Sequence, residues 1–282
     1  MKKESIIKIA ISAGVAAGLT IGGIAFYKFY KPEEYKLAAV SKIMKDETKL
    51  VAHRGFRAIA PENTLPAYEE AGKAAFWGAE CDIYRTLDGV WVTHHDPITT
   101  RMMNATKNIE KSKYSELIKY DYNNGHNIEK YPNLKICKFE DYLACCEKYR
   151  MKAVIELKGK NNLEYFDEII KLTDSFDIEP IFISFQMPSL RKIRELKPDA
   201  KIFLVVDDIK DSDIDFALDI GDCGIDFDVD LDKNYKNDCE MIKKCTEKNI
   251  ELGVWACDYP EKMQRVVDLG VKYITTDCLT EY

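Results

Sequence analysis

The chain has 282 residues, 46% of them hydrophobic, which is enough for one sizeable buried core and excludes a low-complexity or disordered chain. Its net charge of -7, with no basic stripe interleaved with aromatics, argues against a nucleic-acid partner. Nine cysteines, an odd number with no CxxC pair, argue against a structural zinc site and fit reduced thiols packed as small hydrophobes.

The N-terminal stretch is distinct in composition. Ile9 to Tyr27 is nineteen residues without a charge, long enough to span a bilayer. Lys2, Lys3 and Lys8 precede the run, and Lys28 and Lys31 follow it. Tyr27, Phe29 and Tyr30 would form an aromatic belt at the interface. The run is long for the apolar region of a signal peptide, and no small-x-small cleavage site precedes Lys28-Phe29-Tyr30-Lys31, so an uncleaved single-pass anchor over residues 1–31 is expected. This makes the lipid bilayer a partner. Two overlapping GxxxG spacings, Gly14 to Gly18 and Gly18 to Gly22, suit helix-mediated self-association, although such glycines are more often merely tolerated in a membrane helix. Lysines flank both ends, so the positive-inside rule assigns no side.

Residues 32–48 are charged and read as a linker or short helix. Lys49 to His53 reads as the first strand, and Arg54-Gly55 opens the loop after it. Thr64 before Leu65-Pro66 is a suitable N-cap for a helix running to about Ala75. A second strand runs from about Gly78 to Arg85. Asp88-Gly89 signals a hairpin, and folding the chain symmetrically about that pair sets Asp82 opposite His95. A slip of one residue would send one of them to the other face. His94 is then expected to point away, into packing.

Ile98 to Pro132 is polar and irregular and reads as a long loop or small insertion, with an incidental His126. Phe139 to Tyr149 is an amphipathic helix and Met151 to Leu157 a strand. Beyond it, strands near 179–185, 201–206, 224–229, 251–256 and 271–275 alternate with helices near 163–174, 188–197, 210–219, 236–248 and 260–269. Such alternation indicates a parallel sheet, and eight strand–helix units indicate a (β/α)8 TIM barrel over residues 49–282.

Three of the four histidines (His53, His94 and His95) and the carboxylates Glu62, Glu80, Asp82 and Asp96 fall between Val51 and Asp96. Glu80 and Asp82 are two apart on a strand and share a face. With Glu156 from another strand, three carboxylates would repel unless a cation joined them. Hard oxygen ligands select Ca2+ or Mg2+, with Mn2+ also compatible. Taken alone, the Glu-x-Asp pair also fits a structural ion pair. His53 and His95 would flank the cluster, one to accept a proton and the other to donate one. Arg54 and Lys158 beside them suit an anion such as phosphate, or equally a surface ion pair.

His53-Arg54-Gly55, Pro61-Glu62-Asn63-Thr64, Glu80-x-Asp82, Asp88-Gly89, His95-Asp96 and Glu156-Leu157-Lys158 together resemble the glycerophosphodiester phosphodiesterase family. Ser184-Phe185, Gly253-Val254-Trp255 and Gly270-Val271 through Thr276-Asp277 extend the resemblance over about residues 48 to 279. It implies a metal-dependent TIM barrel that hydrolyses glycerophosphodiesters to sn-glycerol 3-phosphate and an alcohol. It assigns acid/base roles to His53 and His95, and the metal to Glu80, Asp82 and Glu156. Substrate binding falls to Arg54, Lys158 and Trp255, with support from Glu62 and Asn63. Family members often carry Trp-Thr-Val-Asn where this chain has Trp255-Ala256-Cys257-Asp258. Lysophospholipids, a polyglycerol-phosphate polymer, or a barrel that binds phosphate without turnover are the alternatives.

Overall fold

The computed structural model describes residues 34–159, 162–228 and 231–282. The expected anchor over residues 1–31, with its GxxxG spacings, lies outside these residues. Among the described residues no helix is long and apolar enough to cross a membrane.

Strand β1 (Lys49–Ala52) leads through a loop into helix α1 (Leu65–Lys73). Thr64 caps that helix, its side chain accepting from the Ala67 N–H, and Pro66 occupies the first turn, where its missing N–H costs nothing. Strand β2 (Gly78–Arg85) turns back as the short β3 (Trp91–Thr93), which pairs with β4 (Cys137–Lys138). Regular alternation follows: α2 (Phe139–Tyr149), β5 (Lys152–Leu157), α3 (Phe166–Thr173), β6 (Pro180–Ser184), α4 (Met187–Leu196), β7 (Lys201–Val206) and α5 (Asp211–Ile220). The remainder is β8 (Cys223–Asp228), α6 (Leu231–Glu247), β9 (Leu252–Trp255), α7 (Pro260–Asp268) and β10 (Tyr273–Thr276).

Among the described residues, eight strands run parallel in the order β1-β2-β5-β6-β7-β8-β9-β10, and β10 pairs back onto β1. The sheet is closed, as the alternation predicted. Runs such as Ile202–Val206 are apolar on both faces because one face packs on helices and the other fills the barrel. Val51, Val154, Ile181, Ile183, Phe203 and Val205 form the inner cluster.

The hairpin departs from expectation. Ile83 pairs with Thr93 and Arg85 with Trp91, so paired numbers sum to 176 (83 + 93), one less than a two-residue turn at Asp88-Gly89 requires. The loop holds three residues, Leu87-Asp88-Gly89. Gly89 sits at φ +84°, a region open to glycine, and Thr86 N–H donates to Val90 O at 2.9 Å. Asp82 O consequently accepts from His94 N–H at 2.9 Å, and not from His95.

The insertion is not a bare loop. Met102, Met103, Ile109, Leu117, Tyr122 and Ile136 form a second core with Tyr84 and Val92 of the hairpin. Residues 34–48 pack along the barrel, where Ala38–Ala39 lie parallel to Leu279–Thr280 and Val40 is buried.

One buried hydroxyl ties the outer layer to the barrel. Tyr142 OH of α2 donates to Ala79 O at 2.7 Å and approaches Val154 O at 3.3 Å. Tyr142→Phe removes this bond within an apolar pocket and should lower unfolding free energy by about 1–2 kcal/mol, read by denaturant titration, with turnover retained.

Candidate active site

The parallel register places Asp82 of β2 directly beside Glu156 of β5, while Glu80 shares the inner face of β2. Ligand oxygens of the three lie within 4.8 Å of one another, and all three residues are buried. Burial, with Asp82 and Glu156 adding, pushes the Glu80 pKa well above the ordinary carboxylate range. Burial also pushes Glu156 up to about 7. For Asp82, burial is outweighed by Lys158, His95, Arg54 and the Asn63 amide, which hold it low.

A divalent cation fits this set. The donors are hard oxygens, and Glu80 Oε1 is buried without a hydrogen-bond donor. Asn63 fixes one ligand at both ends: its Nδ2 donates to Asp82 Oδ2 at 2.7 Å, and its Oδ1 accepts from Asp82 N–H at 3.1 Å. Tyr68 OH donates to the same Oδ1 at 3.0 Å.

Both predicted cations turn inward. Lys158 Nζ stands 2.6 Å from Glu156 Oε1 and 3.1 Å from Asp82 Oδ1. Arg54 occupies the left-handed region at φ +57°, which aims its N–H at Glu80 Oε2, 2.7 Å away. Gly55 follows at φ +75°, and a Cβ there would come within 2.7 Å of Ala67, so only glycine lets the loop close on α1.

The two histidines are each held by an aspartate. His53 Nδ1 lies 2.7 Å from Asp277 Oδ1, which leaves Nε2 free to act. Burial, aided by Arg54 and Arg57, lowers the His53 pKa against the pull of Asp277. His95 Nδ1 lies 2.9 Å from Asp96 Oδ1. Although the register is shifted, β3 ends at Thr93, so strand alternation no longer dictates where the histidines point. His95 stands near enough to Asp82 to help hold that carboxylate low. His94 folds onto Asp96 O at 2.8 Å and packs on Tyr122, 6.3 Å between ring centres.

Glu62 is a buried hub. Its Oε1 accepts from Arg54 Nη1 at 3.1 Å and from Arg101 Nη2 at 2.5 Å, and Arg57 Nη2 lies 3.7 Å from Oε2. The guanidinium groups hold its pKa far down against burial. Trp255 meets Phe185 edge-on at 5.5 Å, and Lys158 Nζ lies 5.8 Å from the Phe185 ring centre. This puts an aromatic wall beside the cation at the mouth.

Several contributors have no role in the sequence analysis. Asp277 follows β10, where carboxylates at barrel strand ends are natural site residues; its place after the last strand was the available signal. Asp258 Oδ1 accepts from Asp277 N–H at 2.7 Å and Thr276 Oγ1 at 2.9 Å, bracing it. Arg57 lies in a loop and Arg101 ends a single 3-10 turn (Thr99–Arg101), and neither is long enough for periodicity to signal direction. Asp226 shares the register position of Val205, an inner-cluster residue, so it faces into the barrel. Burial and Glu156 push it up to about 8.

Over residues 53–280 the chain matches the Glycerophosphoryl diester phosphodiesterase family. A glycerophosphodiester phosphodiesterase of Caldanaerobacter subterraneus is 27% identical over 242 residues, covering 82% of this chain and 94% of the relative. A phosphodiesterase from Oleispira antarctica, solved in complex with the product sn-glycerol-3-phosphate, shares the fold with TM-score 0.74 at 20% identity, over 85% of this chain and 96% of its own. A glycerophosphodiester phosphodiesterase from Parabacteroides distasonis aligns with TM-score 0.69 at 24% identity, over 83% and 94%.

The crowded carboxylates set a pH dependence. Glu156, raised from 4.5 to about 7, and Asp226, raised from 3.8 to about 8, keep protons when folded that the unfolded chain has released. The native state then binds more protons between those limits, so these groups favour folding less as pH rises. Metal-stripped protein should therefore lose stability from about pH 5 to pH 8 more steeply than a Glu156→Gln/Asp226→Asn variant, in unfolding curves across that range. Identical slopes would refute the assignment.

Proposed function

The chain belongs to the glycerophosphoryl diester phosphodiesterase family, and from that premise we propose that it hydrolyses glycerophosphodiesters to sn-glycerol 3-phosphate and an alcohol, with His53 and His95 as the proton-transfer pair. One observation carries this reading: two histidine–aspartate pairs flank a triad of buried carboxylates at one barrel mouth.

Glu80, Asp82 and Glu156 would hold a divalent cation, Ca2+ or Mg2+ with Mn2+ also compatible, which when bound supplies positive charge against the phosphoryl oxygens. Arg54 and Lys158 orient the phosphate and oppose the charge that builds on it. The lowered pKa of His53 keeps its ring neutral, suiting it to take the proton of the glycerol hydroxyl adjacent to the phosphodiester as that oxygen attacks phosphorus. His95, more open to solvent, gives its proton to the departing alcohol. In the second step water opens the cyclic phosphate, with the two roles exchanged. Asp277 and Asp96 fix the ring tautomers by accepting the Nδ1 protons.

The aromatic wall of Phe185 and Trp255 favours a second reading of the alcohol side. A lysophospholipid, whose acyl chain would lie on those rings, fits the same chemistry. The apolar run Ile9 to Tyr27 supports an anchor that would hold the enzyme at its lipid source.

Purified protein should release sn-glycerol 3-phosphate from glycerophosphocholine, and chelation should abolish the release until Ca2+ or Mg2+ is restored. A lysophosphatidylcholine arm separates the two substrate readings, and flotation with vesicles tests the anchor. His53→Ala and His95→Ala should each lower kcat by about 10²–10⁴-fold. Near-normal turnover in either would remove that histidine from the mechanism.

A further inference from the structure

Arg101 lies in the insertion, outside the barrel strands, and touches none of the groups assigned to substrate. Its Nε donates to Asp96 Oδ2 at 2.6 Å, while the other oxygen of Asp96 holds His95 Nδ1 at 2.9 Å. Its Nη2 donates to Glu62 Oε1 at 2.5 Å. From Glu62 the contacts continue to Arg57, whose Nε lies 3.5 Å from Asp277 Oδ1, the oxygen that holds His53. Alternating charges thus run unbroken from one histidine to the other.

The insertion is built to place this guanidinium. Arg101 O accepts from Asn124 Nδ2 at 2.9 Å, and the next residues, Met102 and Met103, are buried in the second core. Placement matters because His95 stands beyond the end of β3, on a turn, with Asp96 itself part-exposed. A histidine on a loop needs its partner held from a second direction.

We propose that Arg101 is a positioning residue for His95, and that through Glu62 it couples the insertion to the His53–Asp277 pair, so that the two acid/base groups are oriented as one unit. This rests on the reading that both histidines serve the reaction.

The test uses the full-length, metal-loaded enzyme with glycerophosphocholine. Arg101→Met should lower kcat about 10–100-fold with KM changed less than about threefold, and Arg101→Lys should recover part of the loss. An Arg101→Met/Asp96→Asn double variant should fall little below the worse single variant, because both changes release the same histidine. A kcat within about twofold of the parent for Arg101→Met, a loss in KM alone, or losses that multiply in the double variant would each overturn the proposal. If Arg101→Met does not fold, Arg101→Gln against Arg101→Lys makes the same comparison. Full activity in His95→Ala would instead bring down the catalytic reading itself. An inactive His95→Ala beside a fully active Arg101→Met would remove only the role of Arg101.

Discussion

Three carboxylates buried within 4.8 Å of one another are the constraint around which this barrel mouth is built. Desolvated like charges at that separation cannot all remain ionised without compensation. The chain answers with Lys158 between Asp82 and Glu156, the Arg54 N–H on Glu80, and raised pKa values at Glu80 and Glu156. The compensation is incomplete. Around the mouth stand seven carboxylates (Glu62, Glu80, Asp82, Asp96, Glu156, Asp258 and Asp277) against four cations (Arg54, Arg57, Arg101 and Lys158), an excess of three negative charges among the described residues. A divalent cation held by Glu80, Asp82 and Glu156 would offset two of those three charges, and Arg54 and Lys158 would then face the phosphodiester anion.

The fold serves this constraint through register. In a parallel pair the residues in register share a face, so setting Asp82 against Glu156 is sufficient to oppose their carboxylates. Nothing flexible is required, since Asn63 and Tyr68 clamp Asp82 from behind and Tyr142 fixes β2 and β5 from outside. Val154, Ile183 and Phe203 are buried beside the charged groups, and Asp226 is a buried carboxylate among these apolar residues. The resulting low dielectric strengthens each ionic contact and makes each missing one costly.

Much of this was readable in the residues because it follows from short-range rules. Strand and helix alternation gives the barrel, and the two-residue spacing of Glu80 and Asp82 gives their shared face. The Thr64-Leu65-Pro66 signal gives the start of α1. The hairpin shows where such rules stop. Asp88-Gly89 does mark the turn, but whether the loop holds two residues or three depends on Thr86 bonding Val90, a choice sequence leaves open. His95 still stands near Asp82 despite the one-residue shift, because the strand ends before His94. Arg57 and Arg101 were harder to see for a different reason. A long side chain on a loop takes its direction from distant partners, here Glu62 and Asp96, and no local pattern encodes that.

The same asymmetry explains why the insertion is more than an appendage. The barrel supplies positions at strand ends, and those suffice for groups that begin on strands, such as Glu80, Asp82 and Glu156. His95 does not begin on one. Its backbone leaves β3 two residues earlier, and its ring is oriented by Asp96, an adjacent residue on the same turn and therefore a poor independent reference. Rigidity has to enter from elsewhere, and the second core of Met102, Met103, Ile109 and Leu117 provides it through Arg101. His53, by contrast, leaves β1 directly, and its partner Asp277 follows β10, the strand paired with β1. One histidine is thus positioned by the barrel and the other by the structure packed against it, and Glu62 is where the two frames meet.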